Sequence, residues 1–128
     1  QLNRSSVQNS KTGCQPMHQL KIRTHVIMEE KHNFLKAAAA RIAEALVKPE
    51  SYVMTMVSDN QEMLFAGNND PLAYIELKSL GLTTAQTTSL SENICDFIST
   101  ELEINPSRIY IEFASPEREI FGWNGGTF

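Results

Sequence analysis

Val47-Lys48-Pro49-Glu50-Ser51-Tyr52-Val53 and Ile104-Asn105-Pro106-Ser107-Arg108-Ile109-Tyr110 read alike, and their prolines stand 57 residues apart. Each has an apolar residue, a polar one, a proline, two turn residues and then β-prone residues. Proline breaks a helix and pushes its predecessor toward extended backbone, so each stretch marks a helix ending where a strand begins. The residues before each stretch agree. Phe34, Leu35, Ala38, Ile42, Ala45 and Leu46 recur three and four apart, and Ala37–Ala40 is a strong helix former, which predicts a helix over Glu30–Leu46. Leu90, Ile94, Phe97, Ile98 and Leu102 form a second helical stripe, and Thr83 with Gln86 offers it a capping-box start.

Ahead of each helix the period is two. Leu20, Ile22, Thr24 and Val26 alternate with Gln19, Lys21, Arg23 and His25; Ile75, Leu77 and Ser79 alternate with Tyr74, Glu76 and Lys78. Behind the helices, Tyr52–Val57 is a near-continuous β-prone run, expected to be covered on both faces, and Arg108–Phe113 is another strand. The fold class is therefore α/β (α+β): two β-α-β repeats with pseudo-twofold symmetry, making a four-stranded mixed sheet with two helices on one face. Met63–Gly67 is long enough for a short edge strand. Lys21, Arg23, Glu76, Lys78 and Glu112 fall on the face away from the helices, a bare polar surface for which self-association is the natural solution. The last nine residues interleave Phe121, Trp123 and Phe128 with glycines, an end expected to dock rather than fray.

With 128 residues, 41% of them hydrophobic, the chain can build one core of its own. Residues 1–17 are Ser-, Asn- and Gln-rich without periodicity and are expected to be a disordered extension, leaving 18–128 as the domain. The net charge of −4 is uneven: residues 1–28 hold four bases and no acid. The remainder is acidic, which argues against binding a phosphate backbone, so no nucleic acid is expected. No apolar run approaches the length of a membrane span, so no membrane partner is expected and the location is expected to be cytoplasmic. Cys14 and Cys95 form no Cys-x-x-Cys pair and are expected to be reduced thiols. His25 and His32 lack ligand spacing, so no metal is expected.

Five motifs follow one another in a known order and spacing. They are Lys48-Pro49-Glu50-Ser51-Tyr52-Val53-Met54, Phe65-Ala66-Gly67-Asn68-Asn69-Asp70-Pro71, Lys78-Ser79-Leu80-Gly81, Pro106-x-Arg108-Ile109-Tyr110-Ile111, and Gly122-Trp123-Asn124-Gly125-Gly126-Thr127-Phe128. On these residues the chain, from Gln19 to Phe128, resembles the macrophage migration inhibitory factor family of the tautomerase superfamily. The resemblance implies a homotrimer with its sheets around a central channel, helices outside and pockets between subunits. It implies cofactor-independent keto–enol tautomerisation of phenylpyruvate-like or dopachrome-like substrates, small enolisable aromatic keto acids. Animal members also act as cytokines, so it further implies a possible protein partner and leaderless secretion.

The reaction needs a base, a cation or donor at the developing enolate, and an apolar slot. In the family the base is an N-terminal proline. Counting back from Thr24-His25-Val26, that position falls on His18, while Pro16 is internal and its amide nitrogen has no usable basicity. His18 is the candidate substitute, since an imidazole titrates near pH 6.5. Processing between Gln15 and Pro16 is a second route to a base, and absence of tautomerase activity a third possibility. The resemblance assigns Lys48 to the substrate carboxylate, the Leu80 backbone N–H to substrate binding, and Tyr52, Tyr110, Trp123 and Phe128 to an aromatic lining. Glu112 stands where the family often has asparagine, and is expected either to repel an anionic substrate or to pair with Lys48. The expected function is a tautomerase weakened by the missing proline; the alternatives are a catalytically inactive cytokine-like interaction module and a small-molecule pocket without turnover.

Overall fold

β1 (His18–Thr24) starts almost at the first residue that the computed structural model of this chain describes; the described residues are 17–128. The expected N-terminal extension, with Cys14 and Pro16, lies outside the described residues except for Met17. After β1 come α1 (Lys31–Leu46), β2 (Val53–Ser58), β3 (Ala73–Ser79), α2 (Thr84–Leu102) and β4 (Ile109–Ala114). A 3-10 turn leads into β2 (Glu50–Tyr52) and another into β4 (Pro106–Arg108).

The sheet order is β2-β1-β3-β4. β1 runs parallel to β2 with His18 opposite Val53, and β3 parallel to β4 with Ala73 opposite Ile109. The two inner strands are antiparallel, Ile22 meeting Ile75. This is the double β-α-β repeat that the twin proline stretches predict. Leu20, Ile22, Ile75 and Leu77 from the sheet meet Phe34, Ala38 and Ile42 of α1 and Leu90, Ile94, Phe97 and Ile98 of α2. Each large aliphatic or aromatic side chain buried there is worth roughly 1.5–3 kcal/mol. Arg41 joins the two helices, bonding Asn93 and Asp96 and lying 5.6 Å over the Phe97 ring.

The helix boundaries follow local chemistry. α2 begins at the expected box, the Gln86 side chain accepting from the Thr83 N–H at 2.8 Å. Both helices end on a left-handed residue, Val47 (φ 56°) and Glu103 (φ 57°). After α1, the Lys48 N–H bonds the Ala43 carbonyl at 2.9 Å, closing the helix before Pro49.

Two expectations are corrected. β2 is an edge strand and is not covered on both faces: Met54 is 46% exposed. An unbroken apolar run does not distinguish a sandwiched strand from one whose outward methionines lie on an open face. Met63–Gly67 forms no strand; only Phe65 and Asn68 bridge. Ala66 (φ 56°) and Gly67 (φ 78°) are both left-handed, which makes a tight two-residue turn instead. Arg108 clamps that turn, donating to the carbonyls of Phe65, Asn68, Asp70 and Pro71. The tail does dock, but on itself. β5 (Gly122–Trp123) pairs with β6 (Gly126–Thr127), and Phe128 is buried with its ring 5.7 Å from Phe121 and 5.9 Å from Trp123.

Candidate active site

The parity of β1 turns His18, Leu20, Ile22 and Thr24 toward the helices, so His18 sits at the rim of the core at one end of the sheet. The residue is 1% exposed. Its Nδ1 lies 2.7 Å from the Ser79 hydroxyl, its cross-strand neighbour. Its Nε2 is buried and has no hydrogen-bond partner among the described residues. Such an orphan costs free energy, and buried polar atoms in native proteins nearly always find partners. Burial, and then the positive charge of Lys48, hold the imidazole below its ordinary value of 6.5. Both influences favour the neutral ring.

Lys48 is exposed on the short link from α1 to the 3-10 turn, and Tyr52, half-buried, ends that turn immediately before Val53, the partner of His18. Leu80 is buried and directly follows Ser79. His18, Ser79, Leu80, Lys48 and Tyr52 are thus brought to one end of the sheet. The arrangement couples a neutral nitrogen base to a nearby ammonium.

Tyr110 and Glu112 are not brought there. Tyr110 pairs with Tyr74, at the end of β3 away from Ser79. At about 3.3 Å per residue, the five steps from 74 to 79 amount to roughly 16 Å. Tyr110 is 53% exposed and meets Phe65 edge-on at 5.1 Å. Glu112 lies on the open face in the row Met56–Lys21–Glu76–Glu112. It accepts a hydrogen bond from the Tyr74 hydroxyl, and neither of the protein's two described ion pairs joins it to Lys48. That bond, then partial burial and the carboxylates of Glu112 and Glu76, raise the Tyr74 pKa. Trp123 and Phe128 belong to the tail cluster, Trp123 about half exposed.

Ser79 carried no functional assignment in the sequence. The available signal was a hydroxyl on the apolar side of a period-two strand, a polar group in need of a partner. Among the described residues no group of three or more His, Cys, Asp or Glu is arranged to hold a metal ion, and no helix is long and apolar enough to cross a membrane.

The sequence model described as Macrophage migration inhibitory factor (MIF) matches residues 16–128. The macrophage migration inhibitory factor of Mus musculus is 38% identical over 96 residues, covering 74% of this chain and 84% of that protein. The homolog from Brugia malayi is 42% identical over the same length, with the same coverage. Among solved structures, the homologue from Prochlorococcus marinus matches with a TM-score of 0.81 at 38% identity, covering 86% of this chain and 98% of that one. The factor from Trichinella spiralis matches at 0.79 and 29%, covering 86% and 99%. Sequence and backbone agree over almost all of the described residues: the chain belongs to the macrophage migration inhibitory factor family.

Proposed function

We propose that this chain is a slow, cofactor-independent tautomerase of small enolisable aromatic keto acids, acting as a homotrimer with His18 as its base. The observation that carries the reading is the orphan Nε2 of a buried, neutral imidazole beside a lysine. In ketonisation, Nε2 takes the proton from the enol oxygen, the electron pair closes the carbonyl, and the imidazolium gives the proton to the adjacent carbon. Lys48 holds the substrate carboxylate and favours the negative charge that develops on the enolate. The separation of Tyr110 from His18 supports a pocket shared between copies, in which one subunit supplies His18 and Lys48 and a neighbour supplies Tyr110.

The test is ketonisation of phenylpyruvate enol by the whole chain. Acceleration over buffer that is lost in His18→Ala, with a raised KM in Lys48→Ala, is the expected result. Undiminished activity in His18→Ala removes the proposed base. A monomer in sedimentation removes the shared pocket.

A second reading rests on the burial of that same imidazole. At 1% exposure a substrate does not reach Nε2 without movement of its surroundings, which favours an inactive, cytokine-like interaction module. No acceleration over buffer by the unaltered chain selects it.

A further inference from the structure

The geometry points to Ser79 as the positioning residue of His18: its oxygen receives the Nδ1 proton and leaves Nε2 as the bare, basic nitrogen. This inference deepens the proposed function and rests on that reading for its catalytic part.

A neutral imidazole carries one proton on one of two nitrogens, and the partner of one nitrogen decides the state of the other. Here the only described partner is the Ser79 hydroxyl, 2.7 Å from Nδ1. Serine can serve either ring form, since it has a proton to give and lone pairs to offer. With the proton on Nδ1, the ring donates to Ser79 and Nε2 keeps a free lone pair. With the proton on Nε2, a buried N–H is left with nothing to receive it. Buried orphan N–H groups are the rarer defect in folded proteins. The first form is also the one a base requires.

Position reinforces the assignment. Ser79 and His18 face each other across the antiparallel pair β1–β3, on the helix side, where both are almost fully buried. Neither side chain has room to swing away, so the ring plane is held as well as its proton. When Nε2 gains a proton, the same Ser79 oxygen continues to accept from Nδ1–H, and the imidazolium stays hydrogen-bonded. Among the described residues no carboxylate is hydrogen-bonded to the free nitrogen. A triad in which the Ser79 hydroxyl is the nucleophile would need a group there to orient the ring, so the arrangement is a base with its holder.

The experiment compares the full chain with Ser79→Ala and Ser79→Thr. Nitrogen NMR of His18 in the unaltered protein, without substrate, is expected to show the proton on Nδ1. Loss of that preference in Ser79→Ala and its recovery in Ser79→Thr are expected as well. In the enol–keto assay, Ser79→Ala is expected to lower kcat roughly tenfold or more with KM little changed, within the range seen when such supporting partners are removed. Ser79→Thr is expected to restore most of it.

A proton on Nε2 in the unaltered protein overturns the proposal, and that measurement needs no variant to fold. So does a Ser79→Ala chain that melts normally and keeps both tautomer and kcat. If His18→Ala proves fully active while the NMR shows Nδ1–H held by Ser79, His18 has failed as the base and the positioning of the ring stands.

Discussion

In the first half of the molecule β1 opens on His18, and the left-handed end of α1 is followed by Lys48; at the matching places of the second half stand Ala73 and Ile104. The pseudo-twofold axis carries the His18–Ser79 pair onto Ala73–Thr24, which likewise face each other across β1 and β3. At that second end the polar side chain is fully satisfied: the Thr24 hydroxyl donates to the Leu72 carbonyl at 2.7 Å, and an alanine fills the place of the ring. Ile104 is buried in the core and the next residue, Asn105, accepts from the Ser107 N–H at 2.9 Å, capping its 3-10 turn, whereas Lys48 stays exposed. The comparison teaches that the sheet end closes without an imidazole. Orphaned ring nitrogens occur near both ends, Nε2 of His18 and Nδ1 of His25, and what the second end lacks is a ring set between a facing hydroxyl and a lysine, as His18 is set by Ser79 and Lys48.

Core substitutions should have the largest effect and should not tell the halves apart. Ile22→Ala and Ile75→Ala, register partners with no exposure, are each expected to cost about 2–5 kcal/mol in urea unfolding. A large inequality between them breaks the symmetry of the comparison. At the two sheet ends, His18→Ala is expected to lower the enol–keto rate by about 10²-fold, in the range for losing a general base. Thr24→Ala should leave the rate alone and cost about 1–3 kcal/mol of stability, because it leaves the Leu72 carbonyl unpaired.

Lys48→Ala is expected to raise KM for an anionic keto acid by about tenfold, the equivalent of roughly 1.4 kcal/mol. Asn105→Ala should leave KM unchanged and destabilise by about 1 kcal/mol through its lost cap. Equal kinetic effects would abolish the distinction. At the helix exits, Val47→Gly and Glu103→Gly are each expected to stabilise by about 1 kcal/mol, since both residues pay the left-handed penalty that glycine escapes. Thermal melts read this, and Val47, being β-branched, should gain the more.

The smallest effect is on pH. The folded-state pKa of His18 lies below its unfolded value of 6.5, so its neutral form stabilises the fold fully above about pH 6.5. That contribution is lost as pH falls through the depressed folded value. The wild type should therefore lose stability on acidification over this window more than a folded His18→Ala chain does. Equal slopes would show that the ring is not held neutral by the fold.

Much of this was legible from side-chain spacing. The alternation in Leu20–Thr24 and Ile75–Ser79, the helical stripes from Phe34 and Leu90, and the two prolines identify both repeats, because period and backbone stiffness are local properties. The edge position of β2 was not legible. Met54 and Met56 look like core residues until strand order leaves their face open. The turn at Ala66-Gly67 was also missed, because its neighbours Leu64 and Phe65 read as strand. In the site, Lys48, Leu80 and His18 were candidates only through the family resemblance, while the place of Ser79 beside His18 depends on a pairing 61 residues distant.

The order of residues alone determined that two strand–helix–strand units would form, where each helix would stop, and which faces would be apolar, since these follow from near neighbours along the chain. Only the tertiary structure decided which of the expected residues meet. Antiparallel pairing of β1 with β3 placed His18 against Ser79, parallel pairing of β1 with β2 brought it near Lys48, and parallel pairing of β3 with β4 carried Tyr110 to the far end. Register sums hydrogen bonds and burial over whole strands, and no local stretch contains that sum.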